Sequence, residues 1–354
     1  AIRRLKATDR FSVVIYDNEI ETLVPGTFAT PTARSRAMEL LARVDARGAT
    51  NLSEGWLTGC EQVASELMAD GVNRALLLSD GLANHGITDR DELAHHAAEL
   101  RRRGVSTSTF GVGNDFDELL LQGMAQAGGG HFYDIAGAEQ IRDHIESEVG
   151  EALEVVAREV TFKVHVKGGI RLESLGAFPQ RGERGRAQID LGDLVSGQQV
   201  DVPLRLSFPL GEDGDKTLGV FSVADRDGVL EGAKARVAWQ YADDEANDAQ
   251  PRDREVDRLV AGVFAARARR RAVELNRRGD YQGASEALKA TARRISGYAG
   301  SDQELRAIVD GLMSESELVG RVMLERNRKV HHARRHYEMQ SRSWEGKALR
   351  SARG

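Results

Sequence analysis

The sequence predicts an α/β protein: a doubly wound, mostly parallel sheet over residues 1–153, an antiparallel β-sandwich over 154–242 and a helical region over 252–354. Three observations carry this. Continuous apolar runs such as Phe11–Tyr16 (FSVVIY) and Ala75–Leu78 (ALLL) read as strands buried on both faces, and they alternate with helical patterns of 12–16 residues. From Val160 onward, short segments alternate apolar and polar residues between Gly-rich turns, as sandwich strands do. Beyond residue 252, apolar residues return at i, i+3, i+4 and i+7.

The elements follow in order. After the strand Phe11–Tyr16, Asp17-Asn18 makes a turn and Glu21–Val24 a short returning strand. Pro31–Ala46 has helical spacing (Ala37, Leu40, Leu41, Val44), and Ser53–Ala69 repeats it with Trp56, Cys60, Val63, Ala64 and Leu67. The strand Ala75–Leu78 ends in Ser79-Asp80-Gly81. Asp89–Arg103 is a helix whose last arginines complement its C-terminal dipole, with Gly104 as the stop. Ser106–Phe110 and His131–Ile135 are strands, with helices over Phe116–Ala127 and Glu139–Glu154. Val160–Val166, Ala187–Leu191, Val200–Phe208, Leu218–Val223 and Ala235–Tyr241 are the sandwich strands. Asp243–Asp253 is a polar, acidic linker. Stripes then follow at Val256–Phe264, at Ala284–Ile295 and at Leu305–Met313, as a helical hairpin and a further helix. A frayed basic tail is expected from Arg326.

Length and composition narrow the function. A chain of 354 residues makes two or three domains. No stretch approaches the roughly 18 apolar residues of a membrane-spanning helix. The single cysteine, Cys60, excludes a disulfide framework and a zinc ribbon, and reads as a buried thiol. One cysteine and no membrane segment favour a cytoplasmic location. The net charge of −6 is uneven: residues 1–150 carry 14 basic and 23 acidic groups, whereas 248–354 carry 23 and 15. The acidic front and basic tail attract one another at short range, so the tail is expected to dock on its own α/β domain or on an acidic partner.

Several motifs read blandly. His95-His96 lies on a solvated helix face, and His331-His332 with His336 sits among arginines on a basic surface. Gly128-Gly129-Gly130 precedes a strand, so it is no phosphate loop. Gly111-x-Gly113 lacks the third glycine of a dinucleotide fingerprint. Arg267–Arg271 (RARRR) has no aromatic interleaving, so nucleic acid is not expected. Two loops do carry oxygen ligands: Gly48–Leu52 between helices, and Leu78–Asn84 at the carboxyl end of a strand, where doubly wound sheets place their ligands. Thr50 and Asp80 suit a hard cation such as Mg²⁺. Taken alone, each loop is also an ordinary turn or cap.

The order of motifs sharpens this. DRFSVVIYD (Asp9–Asp17), VPGTF (Val24–Phe28), GATNLSEG (Gly48–Gly55), ALLLSDGLANHG (Ala75–Gly86) and TFGVGNDFDELLLQGMAQAGGGHFYDI (Thr109–Ile135) together resemble the von Willebrand factor A family over residues 1 to about 150. The resemblance implies a doubly wound sheet with a metal-ion-dependent adhesion site at its top. Thr50 matches that site's threonine ligand, and Asp80 its later aspartate. The family's Asp-x-Ser-x-Ser motif, on a central first strand, is absent from these residues. The chain is therefore expected to be a fragment that begins within the helix after that strand, with a natural degenerate site as the other reading. A sheet lacking its middle strand leaves two long unpaired edges. In either case Mg²⁺ binding is expected to be weak or absent. After residue 155 the order of regions resembles bacterial proteins in which such a domain precedes a β-sandwich and helices.

Two function classes follow. The first is a non-enzymatic protein–protein interaction module that binds a partner, through an acidic side chain, at the top face. The alternative is a hydrolase of phosphatase type using Asp80 as metal ligand or nucleophile. Such enzymes need a second aspartate two residues on, where Leu82 stands, and a lysine near a later strand, but none occurs between Lys6 and Lys163. No catalytic residues can be assembled.

Overall fold

The computed structural model describes residues 2–44, 50–69, 71–167, 169–182, 185–230, 232–322, 329–330, 333, 336–343 and 345–350. Gly48-Ala49 and His331-His332 therefore lie outside the described residues. The chain divides into two compact units, Ala1–Val155 and Val156–Gly354.

In the first unit, β1 (Arg10–Tyr16) turns back into β2 (Ile20–Phe28) as an antiparallel pair. The return strand is longer than the sequence predicts. It contains Pro25, which lacks an N–H but is tolerated because β2 is an edge. Helices α1 (Pro31–Leu41) and α2 (Leu52–Ala64) follow, capped by Thr30 and Asn51. The chain then builds β3 (Arg74–Ser79), α3 (Arg90–Arg102), β4 (Ser106–Val112), α4 (Glu118–Ala127), β5 (Gly129–Ile135) and α5 (Ala138–Leu153). Strands β3, β4 and β5 form a parallel three-stranded sheet in that order. Its α5-facing core is Phe110, Tyr133 and Ile135, packed with Leu76, Leu78, Ile141 and Ile145. Phe110 and Tyr133 stack with centroids 4.9 Å apart. Among the described residues, no ladder joins β1 to β3.

The second unit opens with β6 (Val155–Val166), which begins one residue before it, followed by β7 (Arg171–Ser174), β8 (Gln180–Arg181), β9 (Arg186–Val195), β10 (Leu204–Ser207), β11 (Lys216–Ala224) and β12 (Lys234–Gln240). A five-stranded sheet runs β12-β11-β6-β9-β8, and β10 pairs with β7. Leu172, Leu204 and Leu206 of the small sheet, with Phe221 and Trp239 of the large one, pack against the buried cluster of Val164, Val166, Ile170 and Ala187. A short helix, α6 (Asp244–Asp248), interrupts the acidic linker because Asp243 caps it. Then α7 (Arg254–Arg277), α8 (Tyr281–Ala299) and α9 (Gln303–Val319) pack together, each capped by an aspartate. Ala261, Ala265, Ala268 and Ala272 of α7 meet Leu288, Ile295, Leu305 and Leu312. The stripes Ala284–Ile295 and Leu305–Met313 thus pack on the alanine face of α7, whereas Val256 of the predicted α7 stripe is exposed.

The described part of the tail is not frayed. Ala333, His336, Tyr337, Met339 and Arg342 are buried. Ala177 N donates to Met339 O (3.1 Å), and Gln199 N to Leu349 O (2.9 Å). Tyr337 and Met339 are its buried anchors, whereas Leu349 is exposed and is held through its carbonyl. The expectation that His336 lies on a basic surface is corrected for the same reason.

Candidate functional site

The carboxyl ends of β1 and β3 and the start of α2 meet at one end of the first unit. Asn51 opens α2: its Oδ1 accepts from Glu54 N (3.4 Å), and its Nδ2 donates to Glu54 Oε2 (2.6 Å). Asn51 N donates to Asp17 O (2.9 Å), tying the helix start to the end of β1. Thr50 N donates to Asn84 Oδ1 (3.0 Å), and Asn84 N to Thr50 O (3.3 Å). The two loops singled out in the sequence are therefore zipped together. A Cβ on Gly81 would lie 3.1 Å from Thr50 Oγ1, so Thr50 faces the loop that carries Asp80. Buried Ser53 accepts from Ile87 N (2.9 Å). Gly86 turns the chain at φ +69°, where any Cβ would sit 2.4 Å from Ser53 Oγ. Beneath these loops, Tyr16 donates its hydroxyl to Leu78 O. Burial pushes the Tyr16 hydroxyl up; its hydrogen bond with Ser79 works against that, and the Asp80 charge adds to it. Tyr16 thus stays a neutral donor.

Thr50 is half-buried and Asp80 exposed. Among the described residues neither side chain has a hydrogen bond or ion pair, so both oxygens are available to a ligand. Asn51, Ser53 and Asn84, which organise the loops, are site residues that the sequence reading does not single out. Their signal was only their position beside Thr50 and Asp80.

A second polar cluster lies inside the unit. Glu148 on α5 is fully buried. Its Oε1 accepts from Arg74 Nη1 (2.7 Å) and Ser108 Oγ (2.5 Å), and its Oε2 from Tyr133 Oη (2.6 Å), with His131 Nδ1 at 3.0 Å. Burial alone would raise this carboxyl, but the charges of His131 and Arg74 and hydrogen bonds from His131 and Ser108 hold it well below the usual carboxylate range. His131, Glu148 and Glu151 have ligand atoms within 4.8 Å of one another. The Arg74 cation already balances Glu148, however, and both carboxylate oxygens are taken, which suits a closed structural network better than a metal. Cys60 is buried and its thiol is pushed up to about 12 by burial, as befits an inert core thiol. His95 and His96 remain on the solvated face of α3, each 3.9 Å from a glutamate. In the arginine run, Arg267 bonds Glu173 Oε1 (3.1 Å) and Ser174 O (3.1 Å), and Arg269 bonds Glu315 (2.8 Å).

Parallel strands wrapped by helices, with oxygen donors gathered at the strand ends, define a doubly wound domain with a top-face ligand site. Residues 2–147 match the family model of the von Willebrand factor type A domain, and the chain carries a domain of that family there. Such domains commonly mediate protein–protein interaction and typically hold a metal ion at their adhesion site.

Two relatives share sequence with it. The uncharacterized protein YfbK of Escherichia coli (strain K12) is 25% identical over 257 residues, 68% of this chain and 43% of YfbK. Inter-alpha-trypsin inhibitor heavy chain H1 of Mesocricetus auratus is 27% identical over 135 residues, 36% of this chain and 14% of that protein. The match to YfbK therefore extends past the domain, and the chain spans less than half the length of either relative. A von Willebrand factor type A protein from Catenulispora acidiphila has the same fold at 14% identity, with a TM-score of 0.70 over 99% of this chain and 83% of that one. Among the described residues, no helix is long and apolar enough to cross a membrane.

Proposed function

We propose that the first unit is a protein-interaction module whose top face, built on the loops of Thr50 and Asp80, engages an acidic side chain of a partner protein. One observation carries this: Thr50 and Asp80 present unsatisfied oxygens on two loops that Asn84 locks together. These donors are hard oxygens of the kind Mg²⁺ takes, so the residues fit that ion in type. They do not fit it in number. Two protein ligands leave the ion mostly hydrated, and Mg²⁺ sheds water reluctantly, so it binds weakly here. When bound, the ion would supply a positive charge to attract the partner's carboxylate. The protein's own part is to hold the two oxygens in place, through the Thr50–Asn84 pair and the Asn51 cap.

The test is a titration of the full chain with MgCl₂, followed by calorimetry and by amide chemical shifts, with acetate as the smallest carboxylate probe. The expected result is Mg²⁺ affinity on the order of millimolar, with shifts at Thr50, Gly81 and Asn84 that Asp80→Ala removes. Micromolar Mg²⁺ affinity abolished by Asp80→Ala would overturn the weak-site reading. Absence of any shift in these loops would overturn the whole proposal.

A further inference from the structure

We propose that the outward face of the five-stranded sheet in the second unit docks on an anionic lipid surface, with its cations against the headgroups and Leu218 at the acyl boundary. The reading is independent of Thr50 and Asp80, which belong to the other unit.

Strand register assembles the face. Phe221 of β11, with Phe162 of β6 and Trp239 of β12, packs inward on the buried cluster of Val164, Val166, Ile170 and Ala187. The residues that alternate with these therefore look outward. Ser222 of β11 stands between Lys163 of β6 and Lys234 of β12, and Val220 stands between His165 and Arg236. Lys216 pairs with Gln240 farther along the same face. Ala187 of β9 belongs to the inward cluster, so its neighbours Arg186 and Gln188 turn outward, and Gln188 pairs with Arg181 of β8. All of these basic side chains are exposed. Across the paired stretches of β12, β11 and β6, the outward positions hold no acidic residue.

The charges on this face lack counter-charges. Elsewhere in the second unit arginines meet carboxylates: Arg158 with Asp227, Arg205 with Glu173 and Arg226 with Glu159. Among the described residues, none of the basic side chains on the face has an ion pair or hydrogen bond. Adjacent strands are about 4.8 Å apart, so the backbones at Lys163 and Lys234 lie about 10 Å from one another, and those at Lys234 and Arg236 about 7 Å. The Debye length at physiological salt is about 8 Å, so these cations repel one another. A surface of opposite charge relieves that repulsion. The net charge of −6 comes from groups elsewhere in the chain, and salt screens those beyond this length.

The uncharged outward residues favour lipid. Leu218, 48% exposed, pairs with Ala238 in an apolar row, with the Lys216 row on one side and the Arg236 row on the other. An apolar centre within a basic rim suits the boundary between headgroups and acyl chains. A polynucleotide would reward exposed aromatic rings, but Phe162, Phe221 and Trp239 are turned into the core.

The probe is a vesicle of phosphatidylcholine and phosphatidylserine in equal parts, with phosphatidylcholine alone as its control. Co-sedimentation of the full chain is measured in EDTA, which removes bridging by divalent ions. The expected result is binding to the anionic vesicles alone, lost as NaCl rises. Each Lys or Arg held near such a surface contributes about fivefold, so Lys234→Gln with Arg236→Gln should weaken binding at least about tenfold. Lys163→Gln with Lys216→Gln, on other strands, should cost as much and keeps the test valid if the first pair disturbs β12. Leu218→Ser should weaken binding about fivefold at low and high salt alike. Arg270→Gln with Arg278→Gln, which removes two exposed cations at and beyond α7, should leave binding unchanged. Equal binding to both vesicles would overturn the proposal, as would an equal loss in the Arg270 and Arg278 variant, because net charge alone would then govern. An unchanged Leu218→Ser would overturn the seating at the acyl boundary. Tighter binding of an oligonucleotide or of polyglutamate than of the anionic vesicles would assign the face to another polyanion and overturn the lipid reading.

Discussion

The Glu148 carboxylate sits among Arg74, Ser108, His131 and Tyr133 with no solvent exposure, so its cost of burial is met only while every donor stays in place. Glu148→Gln would leave the Arg74 side chain, 6% exposed, without its counter-charge. The expected loss is about 3–5 kcal/mol, read from hydrogen exchange of the β4 amides. The pH sign follows from the depressed folded value. Its contribution is fully present above the unfolded carboxyl value, about 4.3, and is lost as pH falls through the folded one. Acid should therefore weaken the first unit, and Glu148→Gln should flatten that dependence. Nothing in the sequence marked Glu148, one acidic residue on an amphipathic helix. Ser106–Phe110 (STSTF) was the available sign: Thr107, Ser108 and Thr109, wholly buried in a central strand, announce polar partners nearby. Thr50 and Asp80 stand out in the sequence only through the order of the surrounding motifs.

Periodicity made the elements themselves legible, because strands buried on both faces and one-sided helices leave different patterns. Ends and close approaches were not, since they depend on what lies opposite. Gly55 in α2 is such a place: a Cβ there would fall 2.4 Å from Tyr16 Cγ, so helix and strand meet backbone to ring. Gly297 in α8 is exposed, and a Cβ there has nothing within 4 Å. Both glycines look alike in sequence. Gly55→Ala should cost about 1–3 kcal/mol through overpacking, despite alanine's better helix propensity. Gly297→Ala should stabilise by about 0.5–1 kcal/mol. Urea denaturation of the two variants checks the contrast; equal signs would show that the α2–β1 approach is not tight. A Tyr16 ring that shifts to admit the methyl group of Gly55→Ala would also release the Leu78 carbonyl.

At the scale of the whole chain, composition gave the change from strand-helix alternation to sandwich to helices, but not how the later strands and helices join. Arg267 on α7 bonds Glu173 and the Ser174 carbonyl, and the buried Tyr337 and Met339 come from a segment whose basic composition suggested disorder. The strands, the three long helices and this segment thus share one compact unit, Val156–Gly354, with its own cores. A unit that encloses its own core should fold alone. Residues 155–354, a boundary that keeps β6 whole, are therefore expected to give a cooperative thermal transition by circular dichroism. Calorimetry of the full chain should show a transition at the same temperature, because the contacts that define this unit are internal to it. Glu148→Gln belongs to the other unit and should leave this transition in place while lowering the first unit's own. Arg267→Met removes the link between α7 and β7 and should lower the 155–354 transition instead, by an amount on the order of 1–3 kcal/mol for a carboxylate and a carbonyl that lose a charged donor. If residues 155–354 melt without cooperativity, or if Glu148→Gln moves both transitions together, the division into separately folding units fails.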